Sequence, residues 1–293
     1  MEKKYSKKGA LFLAVAAIIW GFAFVAQVSG SSDMEPFFFN FSRYLLGTLS
    51  VVPVILIFER GANDKKMLKT TVISGIASGT VLFIASFLQQ YGIMLTDSSG
   101  KSGFITGLYM ILVPIFGMLL GNKTGILTWI GAVLGIAGLF FVCMGGGKIT
   151  ITSGDFYLIL CAVFFAIQIL TIDHFGQRIY SLRFAMTQFA TCTVLNFICA
   201  LIFEDMAIEP LKSAIIPVLY CGLMSVGVAY TFQIIGQKYC EPTSASIIMS
   251  TESVFSAIGG AILLNERMSA TGYLGCILIF AGIILSQVKT SKS

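Results

Sequence analysis

Glu252 and Arg43 are the ionisable side chains that this sequence sets deep inside long apolar runs, at 243–264 and 36–58. A charge at the centre of a membrane-crossing helix costs roughly 2.5–3.5 kcal/mol on insertion scales, so each needs a partner, a proton, a water-filled cavity or a ligand. Glu252 stands about nine residues into its run, roughly 14 Å deep at 1.5 Å per residue. Two chemistries are open to it there: reversible proton exchange, because an apolar medium disfavours its charged form, or a lasting ion pair with an arginine. Ser250, Thr251, Ser253 and Ser256 surround it and make the stretch polar enough to line water, which points to proton exchange. Arg43 lies about seven residues from the outer end of its run, roughly 10 Å deep. Its guanidinium either snorkels to the interface along its apolar stem or clamps a carboxylate or phosphate with paired N–H groups. If the two side chains face one cavity, they suit the two ends of a zwitterion such as an amino acid, carboxylate on Arg43 and ammonium near Glu252.

Other polar and aromatic residues inside apolar runs are candidates for the same cavity. Gln168 falls mid-run and is expected to line it. Trp20 is also mid-run, away from the interfacial belt where tryptophan anchors, and is expected in the cavity wall. Tyr109 and Tyr230 either line the cavity or pack. Gln89 and Gln90, with Gln233, read as interhelical amide bonds, and Trp129 as an interfacial anchor. No catalytic residue is assigned. Asp173 and His174 are the nearest approach to an acid–base pair, but neighbours i and i+1 do not share a helix face, so they read as a solvated helix end. A metal site is not expected, with one histidine, no HExxH, and seven cysteines without a CxxC. Gly145–Gly147 lacks the Lys-Ser context of a phosphate loop, and no cofactor is expected.

The elements that carry these residues are membrane helices. Hydrophobic residues make up 56% of the chain and charged ones 11%, with a mean hydropathy of +0.89, too few charges to cover a soluble domain. Turn signals and charges mark ten spans: 9–28, 36–58, 70–91, 102–121, 125–144, 155–173, 182–203, 214–234, 243–264 and 270–288. The fourth is the weakest, interrupted by Gly103, Gly107, Pro114 and Gly117. The first has the basic head of a signal peptide, but its apolar stretch is too long for one, so it reads as a retained helix. Placing the N-terminus in the cytoplasm leaves only Lys101, Lys148, Lys212 and Arg267 outside, with Arg43 within a span and the remaining fourteen of the nineteen Lys and Arg inside. Both termini are then cytoplasmic, and the net charge of +5 reports topology, with no nucleic-acid partner implied.

The chain also repeats itself. At a displacement of 145 residues Gly9 meets Gly154, Thr48 meets Thr193, and Ile57-Phe58-Glu59 meets Ile202-Phe203-Glu204. At 144, Gln89 meets Gln233, Gly92 meets Gly236, Gly131 meets Gly275, and Ala137-Gly138 meets Ala281-Gly282. One residue gained or lost in a loop would reconcile the registers. Five spans per repeat, an odd number, would enter the membrane in opposite senses. The expected fold is therefore an all-α membrane protein of ten transmembrane helices as two inverted five-helix repeats, 1–147 and 148–293, an architecture of transporters.

The stretch SIIMSTESVFSAIGGAILLNERMSATGYLGCILIFAGIIL resembles the C-terminal part of an EamA domain of the drug/metabolite transporter superfamily. Glu252 followed by Val254-Phe255, then Glu266, Gly275 and Ala281-Gly282, carry the likeness. In the first half it lies in IIWGFAFV around Trp20-Gly21, in Arg43 and in QQYGIMLTDSSGKSGFITGLYMILVPIF. Ser253 stands where the family usually has proline, and Asn122 where it often has glutamate. The resemblance implies a carrier of small metabolites, often an exporter. The expected function is a secondary transporter in the plasma membrane moving an amino acid or related solute by alternating access, with Glu252 as the proton-coupling candidate. Its partners would be the small-molecule solute and the lipid bilayer. The rival class is a polytopic membrane enzyme acting on a lipid or small molecule.

Overall fold

A computed structural model describes residues 6–61, 63–121, 125–143, 152–265 and 270–287. Asn122, Gly145–Gly147, Lys148, Glu266 and Arg267, all weighed above, lie outside the described residues. Every regular element among those described is helical: α1 Lys7–Ser31, α2 Pro36–Phe58, α3 Lys65–Thr96, α4 Ser99–Thr106, α5 Tyr109–Leu119, α6 Ile126–Cys143, α7 Ser153–Phe175, a 3-10 turn Gly176–Arg178, α8 Ser181–Phe203, α9 Ile208–Ser213, α10 Ile215–Leu219, a π-helical segment Tyr220–Tyr230, α11 Thr231–Gln237, α12 Pro242–Met249, α13 Glu252–Leu263 and α14 Ala270–Gln287.

Eight helical stretches among the described residues are long and apolar enough to cross a bilayer, two fewer than the ten expected. The fifth and tenth spans correspond to α6 and α14, whose described apolar stretches, Trp129–Gly138 and Ala270–Gly282, are shorter. The chain is a multi-pass membrane protein.

Element boundaries recur at the displacements found in the sequence. α2 (36–58) and α8 (181–203) differ by 145 at both ends; α6 (126–143) and α14 (270–287) differ by 144 at both ends. These counterparts pack on each other, α2 against α8 and α6 against α14. A single loop residue does not reconcile the registers. A Cβ on Gly79 would meet Thr191 Cβ and the Gln188 carbonyl; one on Gly222 would meet Leu46 Cβ and the Arg43 carbonyl. The two glycines are thus equivalent, and they are 143 residues apart. By Gln89 and Gln233 the displacement is 144. The second half gains its extra residue between 222 and 233, where the helix widens into the π segment. A π-bulge is how an α-helix absorbs one added residue, and such bulges gather at functional sites.

The fourth and ninth spans are each split, into α4/α5 and α12/α13. At the first split Leu108 N–H bonds to Ile105 O and Met110 N–H to Gly107 O; at the second Thr251 N–H bonds to Ile248 O and Val254 N–H to Thr251 O. Both are tight i→i−3 turns in mid-helix, a local geometry often found at hinges. Glycines at 103 and 107 weaken the first helix. At the second, the hydroxyls of Ser250, Thr251 and Ser253 bond back to carbonyls three residues earlier, competing with the helical ladder. The two splits cross: α4 packs on α13 and α5 on α12. Added Cβ atoms on Gly103 and Gly107 would strike Ser256 and Ser253, and Ser253 Oγ donates to Gly103 O at 3.1 Å. Ser253, in place of a proline, thereby ties the two splits together.

The two repeated glutamates clasp the α2–α8 pair at opposite ends. Glu59 Oε1 and Oε2 accept from the backbone amides of Leu182 and Arg183 at 3.0 and 3.1 Å, and Arg183 Nη2 donates to Glu59 O at 3.0 Å. Glu204 Oε1 and Oε2 accept from the amides of Phe37 and Phe38 at 2.8 and 2.7 Å. Each helix end is thus closed by a carboxylate that its counterpart supplies, and carboxylates suit helix N-termini because orphan amides and the helix dipole meet there. The arrangement requires α2 and α8 to run antiparallel.

Candidate functional site

Where α1, α2, α3, α4, α5, the π segment, α11 and α13 converge lies a narrow cavity. Trp20, Arg43, Tyr109, Tyr230 and Glu252 all line it, together with Gln27, Gln89, Thr106, Ser225 and Gln233. Gln168 does not. It is fully buried one layer behind, where Gln233 Nε2 donates to its Oε1 at 3.0 Å and its own Nε2 points toward Gln188 Oε1 at 3.4 Å.

Arg43 does not snorkel. It is 1% exposed, with Nε donating to Asn40 Oδ1 at 2.9 Å and Nη1 to Gln27 Oε1 at 3.0 Å. The guanidinium carbon lies 5.1 Å from the Tyr44 ring centroid and 5.8 Å from that of Phe39, close enough for cation–π attraction. Nη2 is buried with no hydrogen-bond partner among the described residues. Both neutral partners are themselves held. Asn40 Nδ2 donates to Ser86 O at 3.1 Å and Gln27 Nε2 to Ala23 O at 3.2 Å, so each amide must turn its oxygen to the arginine. A buried cation here is surrounded by dipoles and aromatic faces instead of a carboxylate.

Glu252 is 4% exposed and is the first residue of α13. The position suits an acid, since the first turn presents the positive end of the helix dipole. The Tyr109 hydroxyl lies beside its carboxyl, yet neither that hydroxyl nor Glu252 Oε1 completes a well-formed hydrogen bond among the described residues. No ion pair joins Glu252 to Arg43 among the described residues. On the same cavity Trp20 meets Tyr230 edge-on at 4.8 Å, and Trp20 Nε1 donates to Ser225 O at 3.3 Å. Ser225 and Tyr230 both belong to the π segment, so its added residue helps set which side chains reach the cavity.

Reasoning from sequence missed the holders of Arg43. Asn40 had a signal, since three residues before Arg43 it shares a helix face with it. Gln27 had none beyond being an amide in an apolar run. Gln89 and Gln233, read as interhelical bonds, both face the cavity, and Gln233 makes such a bond as well. His174 is elsewhere, on a shallow groove at the end of α7 beside Phe116, Leu119 and Phe175. Among the described residues no group of three His, Cys, Asp or Glu is placed to hold a metal.

Comparison with known proteins gives a consistent picture. The model of the EamA-like transporter family matches twice, at residues 7–144 and 152–287. An uncharacterized transporter of Archaeoglobus fulgidus is 28% identical over 283 residues, covering 95% of this chain and 85% of its own. The uncharacterized transporter YoaV of Bacillus subtilis is 24% identical over 288 residues, with 94% and 95% covered. The uncharacterized inner membrane transporter YedA of Escherichia coli K12 is 20% identical, with 96% and 90% covered. A solved crystal structure superposes with a TM-score of 0.78 at 20% identity, over 96% of this chain and 97% of the other, a likeness of fold.

Proposed function

This chain belongs to the EamA-like transporter family, and from that premise we propose that it carries a small zwitterionic solute, an amino acid or a close relative, by alternating access. The observation that carries the reading is the pair Arg43 Nη2 and Glu252 Oε1, two buried polar atoms of opposite charge type on one cavity, both lacking a hydrogen-bond partner among the described residues. A solute carboxylate satisfies the guanidinium edge and its ammonium the glutamate. The same carboxylate, when no ammonium occupies it, is the group for proton linkage. The proposed direction is export, as the family resemblance implies.

The proposed frame has ten spans in two inverted halves, 1–147 and 148–293. The antiparallel α2–α8 pair and the matched boundaries of α6 and α14 support it. The excess of Lys and Arg on one side supports cytoplasmic termini in the plasma membrane. Access alternates by rocking of the halves about the crossed splits, which lie next to Glu252, as in transporters with discontinuous helices at the site. The enclosure of Arg43 and Glu252, 1% and 4% exposed, supports a rearrangement during entry.

Counterflow in proteoliposomes loaded with a metabolite mixture, read by mass spectrometry, tests this. Selective exchange of amino acids by the natural protein, lost in Arg43→Gln and in Glu252→Gln, is expected. Exchange unchanged in both variants would overturn the zwitterion reading.

A further inference from the structure

We propose that Asn40 and Gln27 are positioning residues that make the cavity select an anionic group, because they hold Arg43 without neutralising it. The inference rests on the reading of Arg43 as a solute-binding group. Two of the guanidinium's nitrogens, Nε and Nη1, are taken by amide oxygens at 2.9 and 3.0 Å. That fixes the plane of the group and leaves Nη2 without a hydrogen-bond partner among the described residues. A carboxylate oxygen would complete it with a charge-assisted bond.

The chemistry of the holders matters as much as their position. An arginine this buried is usually paired with a carboxylate. An aspartate at 40 or a glutamate at 27 would occupy nearly the same volume and accept the same bond, but it would supply the missing negative charge from the protein. Amides accept the bond and leave the charge standing. Their orientation is enforced from behind by the carbonyls of Ser86 and Ala23. The α1 end of this support is braced further, since Gln90 Nε2 donates to Ser31 Oγ at 2.7 Å and toward Gln27 O at 3.3 Å. The first half thus spends a set of buried polar residues on keeping one cation rigid and uncompensated. At the equivalent place in the second half stands the neutral Gln188, whose Oε1 accepts from Ser78 Oγ at 2.5 Å, so the cavity has a single anion-seeking side.

The test uses the full-length protein in proteoliposomes and, as probe, an equimolar mixture of amino acids and the amines left by their decarboxylation. The natural protein, Asn40→Asp, Gln27→Glu, Asn40→Ala and Gln27→Ala are compared for the acid-to-amine ratio exchanged, and for thermal unfolding without solute. The acidic variants should lower the ratio at least tenfold, because they supply the guanidinium with a negative charge from the protein. The alanine variants should exchange more weakly with the ratio kept, since the guanidinium stays charged but loosely held. An unchanged ratio in the acidic variants would overturn the proposal. Should neither acidic variant fold, because its second carboxylate oxygen meets the Ser86 or Ala23 carbonyl in place of an amide NH2, the alanine variants decide: a changed ratio in them overturns the proposal. Should the natural protein exchange none of the probes, the solute reading fails. A rise in the natural protein's unfolding midpoint on adding acetate, absent in Arg43→Gln, would then still show that the holders leave Arg43 uncompensated, and no rise would overturn the proposal.

Discussion

At the scale of single residues, the site depends on close approach as much as on polar groups. Gly21 sits where α1 meets the start of α13, and a Cβ there would lie 2.9 Å from the Glu252 carbonyl oxygen and closer still to Phe255 Cβ. The obstruction is backbone and the root of a side chain, so neither can swing away. Gly21→Ala should cost about 1–3 kcal/mol, the usual range for overpacking, and should displace Glu252 from the cavity. We expect a lowered unfolding midpoint in detergent together with loss of counterflow. A natural midpoint with full exchange would mean that the contact is looser than it stands. The enclosure of Glu252 and Arg43 was legible in the sequence because a charge in an apolar run is rare and costly and has to be housed inside the protein. The role of Gly21 was not, since a glycine in a membrane helix has many uses and its partner is 231 residues away in sequence, at Glu252.

At the scale of elements, the clasps on α2 and α8 invite separate tests. Glu204→Ala leaves the part-buried amides of Phe37 and Phe38 without their acceptor, a loss of about 1–2 kcal/mol by analogy with removed helix caps. Glu59→Ala should cost a similar amount and also loosen Arg183. Thermal unfolding of each variant and of the pair checks this, and because the clasps are at opposite helix ends their effects should add. Glu204 brings a pH dependence too. Its proton affinity is raised above the ordinary carboxyl value, chiefly by burial, with the amides of Phe37 and Phe38 opposing and Glu35 nearby reinforcing. The folded chain therefore keeps a proton that the unfolded chain releases. That contribution to stability is full below the unfolded value, about 4.3, and is lost as pH rises through the folded one. Unfolding midpoints measured upward from pH 4 should fall over this window and fall less in Glu204→Gln; an identical slope in the variant would remove Glu204 from the account. The Ile-Phe-Glu repeat showed in the sequence as a register mark only. Its use as a mutual cap could not be read there, because nothing local says which helix end a glutamate will reach.

At the scale of the whole molecule, the periodicity of apolar runs located the long spans well, and the duplication located their counterparts. Two things escaped. The split at 250–251 is hidden in a continuous apolar stretch, since hydropathy does not distinguish an i→i−3 turn from an i→i−4 helix, whereas the one at 107–108 had a signal in Gly103 and Gly107. The register was expected to change by one residue in a loop, yet it falls by two between 59/204 and 79/222 and regains one between 79/222 and 89/233, where the second half has the π segment beside the cavity. The proposed inverted topology has a direct test in a cysteine-free background. Asp205→Cys should react with an impermeant thiol reagent on intact cells, and Gly61→Cys only after permeabilisation. Reaction of both from one side would sink the inversion, and the opposite pattern would reverse the orientation.

The clasps also impose an order in time on a chain made from its N-terminus. When α2 emerges, the carboxylate that will close its first turn is 167 residues short of being synthesised. Glu59 is already in place when α8 arrives. The earlier half must wait in the bilayer with a helix unfinished, and the later half is completed as it enters. Stalling synthesis before residue 204 would therefore leave a first half lacking the acceptor for its second helix, a ready mark by which quality control could tell an incomplete chain from a whole one.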